Sequence, residues 1–124
     1  EISTVLQNVT IHCADFETIL LNKVRKNDFV YLDPPFAVAN RRVFRQYGPQ
    51  TFGLSDLKRL NDALVHIDRV GAKFLVSYAM CKEAKDTFSD WETRRVVTQR
   101  NVSGFARHRR KAVELLITNI NYRQ

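Results

Sequence analysis

The sequence predicts an α/β fold, and three observations predict it. Two continuous apolar runs, 29–32 (FVYL) and 73–78 (KFLVSY), read as strands buried on both faces, as in a parallel sheet. A long amphipathic stretch separates them, which is the order a parallel pair needs. Two late extended segments, 93–103 and 112–120, are joined by a short basic connection, which suits an antiparallel hairpin at one edge. The expected sheet is mostly parallel with an antiparallel C-terminal hairpin. A length of 124 residues with 44% apolar composition suits a single domain over 1–124.

Each element has its own signal. In segment 9–14 (VTIHCA), Val9 and Ile11 alternate with Thr10 and His12, which predicts a strand. Asp15 follows, and Phe16 to Leu21 are expected to form a short helix. The FVYL strand ends at Asp33-Pro34-Pro35-Phe36, where two prolines cannot extend a ladder. Residues 37–53 are polar, basic and irregular, and read as a loop. Ser55 is a good N-cap for a helix whose apolar face carries Leu57, Leu60, Leu64 and Ile67, with Gly71 as its stop. Residues 82–91 suggest a short helix presenting Ala84, Phe88 and Trp91.

Composition narrows the function. Twenty Lys and Arg against 13 Asp and Glu leave a net charge of +7. Between Trp91 and Lys111 the basic residues are Arg94, Arg95, Arg100, Arg107, Arg109, Arg110 and Lys111, with Glu92 the only acid. Arg41, Arg42 and Arg45 form a second group. Such clusters suit a polyanion, because neutralising adjacent phosphates releases condensed counterions; a solvated basic surface is the plainer alternative. Few Gly and Pro residues argue against disorder. No apolar run reaches the roughly 18–20 residues of a membrane span, no signal peptide opens the chain, and a cytoplasmic location is expected. Cys13 and Cys81 are expected to be buried free thiols, and no Cys/His spacing resembles a metal site.

Residues 33–36 carry the chemistry. In open α/β sheets ligands bind beyond the carboxyl ends of strands. An exocyclic amine is a poor nucleophile because its lone pair is delocalised into the base. The Asp33 carboxylate and the Pro34 carbonyl can accept its two hydrogens and stabilise the charge that develops during attack on a methyl group. Phe36 can stack on a base taken out of its helix. A simple proline turn after a strand is the alternative reading.

This tetrapeptide resembles motif IV of the amino-methyltransferases. The surrounding chain, from about Val9 to Ile117, is similar to the Dam-type (D12 class) adenine-N6 DNA methyltransferases. The similarity runs through VTIHCADF, DFVYLDPPF, the aromatics Phe44 and Tyr47, TFGLSDLKRL, GAKFLVS and RNVSGFARHRRKAVELL. It implies a partial Rossmann-like methyltransferase sheet, with S-adenosylmethionine as cofactor and DNA as partner. Asp33, Pro34 and Phe36 match the catalytic motif. Asp15 and Phe16 match the position that holds the cofactor's adenine, with Asp33 beside it. Tyr47 matches an aromatic near the methyl-transfer pocket. Arg100, Ser103, Arg107, Arg109, Arg110 and Lys111 fall where the family has polar and basic residues, and are expected to contact phosphates. Asp15 could equally be a helix N-cap, and Tyr47 a satisfied loop aromatic.

The chain departs from the family in places. The Phe-x-Gly-x-Gly turn that cradles the cofactor's methionine part is not found, since Gly48, Gly53, Gly71 and Gly104 are far apart. Neither is the target-recognition segment, so the chain is expected to be the C-terminal half of the enzyme. Phe36 replaces the usual Tyr, and Tyr78 follows Ser77 where an Asn is usual. In the family's strand order, 3-2-1-4-5-7-6, segment 9–14 is the third strand and FVYL the fourth. FVYL would then have an open ladder edge, which proteins avoid. Three remedies are expected: segment 9–14 moves in beside FVYL, two copies pair as a homodimer, or a separate polypeptide supplies the other half. Two other functions fit: a non-catalytic nucleic-acid-binding remnant, and an amino-methyltransferase acting on RNA.

Overall fold

A computed structural model describes residues 2–35, 52–101 and 109–121. The described elements run α1 (Ile2–Leu6), α2 (Phe16–Lys23), β1 (Phe29–Leu32), α3 (Leu54–Val70), β2 (Lys73–Ala79), α4 (Lys82–Thr87), β3 (Glu92–Asn101) and β4 (Arg109–Thr118). The strands form one mixed sheet of order β1-β2-β4-β3. β1 and β2 are parallel, whereas β4 is antiparallel to both β2 and β3. This is an α/β, partial Rossmann-like sheet with an antiparallel C-terminal hairpin, as the sequence predicts. The order also reproduces the 4-5-7-6 end of the expected arrangement.

Segment 9–14 corrects the reading. It forms no ladder and its residues are exposed, with Ile11 84% accessible. Alternation alone does not make a strand; a partner edge and a buried face do. The segment therefore does not repair the edge of β1, which has no ladder partner on its outer side among the described residues.

The core explains why the remaining elements form where they do. Leu57, Leu60, Ala63, Leu64 and Ile67 put one face of α3 against Phe74, Val76 and Tyr78 of β2 and Leu115 and Ile117 of β4. Period 3.6 meets period 2 across this layer. Trp91 packs edge-on to Phe74 at 5.0 Å, and its indole N–H donates to Asn61 Oδ1 at 2.8 Å. We expect Leu64→Ala, at a fully buried site, to cost about 2–5 kcal/mol in chemical denaturation; a loss below about 1 kcal/mol would contradict this packing.

Several boundaries differ from expectation. Gly53, not Ser55, is the N-cap of α3; the Asp56 carboxylate reaches back to the Gly53 N–H at 2.9 Å. Gly71 closes α3 at φ 85°, a left-handed conformation that favours glycine. α4 ends at Thr87, so Trp91 lies outside it, and β4 begins at Arg109 rather than 112. Cys13 is exposed rather than buried; Cys81 is half-buried, and its Sγ accepts the Ala84 N–H at the start of α4. Burial pushes the Cys81 thiol pKa up.

Candidate active site

The topology brings three segment ends to one side of the sheet. β1 ends at Leu32, so Asp33 and the prolines leave its carboxyl end. α3 begins at that end, because it must run back to start the parallel strand β2. The opposite end is tied by hydrogen bonds from Asn27 N to Gly71 O and from Lys73 N to Asp28 O. α2 leads into that tied end, so its start returns to the carboxyl end. Asp15, Phe16, Asp33, Pro34, Phe52 and Gly53 therefore share one end of the domain. Asp33 is exposed and Pro34 half-buried. Phe36, Tyr47, Ser103 and Arg107 lie outside the described residues.

Asp15 is the N-cap of α2. Its Oδ1 accepts the Glu17 N–H at 3.0 Å and Arg59 Nη2 at 2.6 Å. Among the described residues, no partner engages Oδ2. The capping role and a ligand-binding role are thus compatible, because they can use different oxygens. Phe16 is half-buried, with its ring 5.9 Å from that of Phe52 and tilted by 48°.

Arg59 was not among the residues singled out from sequence. Its Nε donates to Glu17, Nη1 to Asp56 Oδ1 at 2.9 Å and Nη2 to Asp15, and its guanidinium sits 4.9 Å from the Phe16 ring centroid. The hydrogen bond it donates to Glu17, then that to Asp56, raises its already high pKa. One signal was available: Asp56 and Arg59 are three residues apart on a helix, so they are surface neighbours. The link back to Asp15 is tertiary.

The Asp56 pKa is lowered, first because its carboxylate accepts the Gly53 N–H and further by Arg59, against an opposing effect of burial. A folded-state pKa below the ordinary value of 3.8 means that Asp56 contributes stability above that value and loses it as pH falls through the folded value. We expect Asp56→Asn to lower Tm at about pH 6, with the difference from the native chain shrinking under acid titration. A difference independent of pH would contradict the role of this charge.

The hairpin completes this end. The pairing of β2 with β4 reaches Ala79 opposite Glu114, and Met80 N–H donates to the Val113 carbonyl at 3.1 Å. β4 residues 109–112 continue past that point, still paired with β3. At roughly 3.4 Å per residue they project about 14 Å beyond the carboxyl end of β2. Arg100 is opposed in register to Arg110, Gln99 to Lys111 and Asn101 to Arg109. Of the two residues at the departing motif, Tyr78 is a core side chain against Phe88, whereas the buried Ser77 donates to Glu114 Oε2 at 3.2 Å.

No described helix is long and apolar enough to cross a membrane. Comparison with known proteins places these features in a family context. Residues 1–103 match the family described as D12 class N6 adenine-specific DNA methyltransferase. The chain is also 31% identical over 121 residues to the Type II methyltransferase M.MjaIII of Methanocaldococcus jannaschii. That alignment takes in 95% of this chain and 42% of the relative, so the chain spans less than half the relative's length.

Proposed function

Because the chain belongs to the D12 class N6 adenine-specific DNA methyltransferase family, we propose that it takes part in S-adenosylmethionine-dependent methyl transfer to the N6 amine of adenine in DNA. The single observation that carries this reading is the shared end: the Asp33-Pro34 turn, the Asp15–Phe16 pair and the projecting basic hairpin converge there.

The residues fit the cofactor. Asp15 Oδ2 is open to a donor among the described residues, and the half-buried Phe16 ring lies beside it. Asp15 and Phe16 would hold the adenosine end, with Asp33 nearby. When bound, S-adenosylmethionine supplies an electrophilic methyl group on a sulfonium. The Asp33 carboxylate and Pro34 carbonyl accept the two hydrogens of the target amine and orient its nitrogen. As positive charge grows on nitrogen, the carboxylate stabilises it, an interaction stronger in the transition state than in the ground state. Phe36 stacks on the extruded base. Tyr47, by its match to a family aromatic, is proposed to act at the same step.

Arg100, Ser103, Arg107, Arg109, Arg110 and Lys111 are proposed to hold the DNA backbone. The 124 residues act as one unit equivalent to the C-terminal half of a catalytic domain. The outer edge of β1, with Phe29 and Tyr31 about 60% exposed, is proposed to receive the segment that cradles the methionine end.

The test is incubation of the chain with adenine-containing DNA and radiolabelled S-adenosylmethionine, alone and with a relative's N-terminal half. N6-methyladenine by mass spectrometry supports the reading. Methylated guanine, or methylation of RNA only, overturns it. A second reading, nucleic-acid binding without catalysis, is favoured by the projecting hairpin; DNA binding that survives loss of Asp33 with no methyl transfer in either mixture would select it.

A further inference from the structure

We infer that Arg59 is a positioning residue for the cofactor site: by gripping Oδ1 of Asp15 and covering the Phe16 ring, it presents Asp15 Oδ2 to the cofactor. The inference rests on the reading above that Asp15 and Phe16 hold the adenosine end.

The geometry is specific. Asp15 and Phe16 start the eight-residue α2, which is anchored to the core through Leu20 and the half-buried Phe16, while the Asp15 side chain itself is exposed. Arg59 sits in the second turn of the 17-residue α3, whose apolar face is fully buried. An exposed carboxylate at the start of a short helix is thus referenced to a long, well-packed one. The guanidinium is a planar fork with five donors. It uses three nitrogens on three carboxylates, Asp15, Glu17 and Asp56, each from a different direction. Glu17 and Asp56 hold the fork in plane. Nη2 and the Glu17 N–H then both fall on Oδ1 of Asp15, which pins the carboxylate rotation. The carbon of the guanidinium is 4.9 Å from the Phe16 ring centroid, within cation–π range. Its charge keeps the ring turned, with Phe52 as a neighbour. An ammonium in the same place could not bind all three carboxylates in one plane. The pairs are partly exposed, with the Arg59 side chain 40% accessible, so their value lies in orientation rather than in stability.

The test is calorimetric titration of S-adenosylmethionine into the full chain and its variants, with Tm and the amide shifts of Phe16 and Glu17 recorded. Arg59→Ala is expected to weaken binding at least about tenfold, the worth of one charge-assisted hydrogen bond, and to move both amide signals. Arg59→Lys is expected to fall between Ala and the native chain. Asn119→Ala serves as the comparator. Asn119 binds Phe74 N, Asp68 and the Ala72 carbonyl at the far end of the sheet, so its loss is expected to lower Tm and leave affinity unchanged. If the native chain binds no cofactor at millimolar concentration, or Asp15→Ala binds normally, the underlying reading fails and this inference with it. If Asp15→Ala loses binding while Arg59→Ala keeps it within about twofold, this inference alone is overturned. If Arg59→Ala does not fold, Arg59→Lys decides: native affinity there overturns the fork argument.

Discussion

Asp33→Ala is expected to lower methyl transfer to adenine by about 10²–10³-fold, the loss typical of removing one preorganised group that stabilises developing charge. The carboxylate stands at the tip of β1, exposed, with Pro34 half-buried behind it. That exposure lets it meet an amine brought from outside the sheet. The proline after it fixes the backbone, so the neighbouring carbonyl keeps its direction without help from the ladder. The effect should fall on kcat rather than on the affinity for DNA, because the interaction strengthens as charge develops on nitrogen. Single-turnover transfer of labelled methyl to DNA, compared with filter binding of the same DNA, separates the two. A variant that keeps native transfer would show that the amine is polarised elsewhere.

Neutralising Arg107, Arg109 and Arg110 together, as Arg→Gln, is expected to weaken DNA binding at all sequences alike. If each contacts one phosphate, the slope of log affinity against log salt becomes shallower by about 2.7, from the 0.9 per phosphate of duplex DNA. The ladder carries positions 109 and 110 past the last residue of β2 that pairs with β4. Their backbone positions there lie at the end of the sheet where Asp33 leaves it. Fluorescence anisotropy across a salt series reads the slope. An unchanged slope would place the phosphates on another surface, and the cluster at Arg41, Arg42 and Arg45 would be the next to test. A change confined to one base sequence would instead indicate base reading.

The fold was legible where local signals and burial agree. The four apolar positions of α3 and the segment KFLVSY each predicted the element that forms; FVYL forms its strand too, but as the sheet's edge with Phe29 and Tyr31 exposed rather than buried on both faces. The stop at Gly71 was legible as well, since a left-handed closure suits glycine. Segment 9–14 failed because alternation without a buried face does not hold a strand: its residues are exposed, Ile11 among them, and it pairs with none of the described strands. The N-cap of α3 failed differently. Ser55 has the right side chain, but the Asp56 carboxylate captures the Gly53 N–H and moves the cap two residues earlier.

At the candidate site, the sequence by itself determined the chemistry: a carboxylate followed by two prolines after an apolar strand, an Asp–Phe pair before a helix, and a late concentration of arginine. Those are properties of residue types and their order, and they survive without coordinates. The tertiary structure alone decided which of them meet. Arg59 and Asp15 are 44 residues apart, a separation no periodicity spans, and they touch because two helices start at the same end of one sheet. The register that carries the basic hairpin past β2 was likewise invisible in sequence. A ladder's offset is set by which side chains reach the core, and here Leu115 and Ile117 had to face α3.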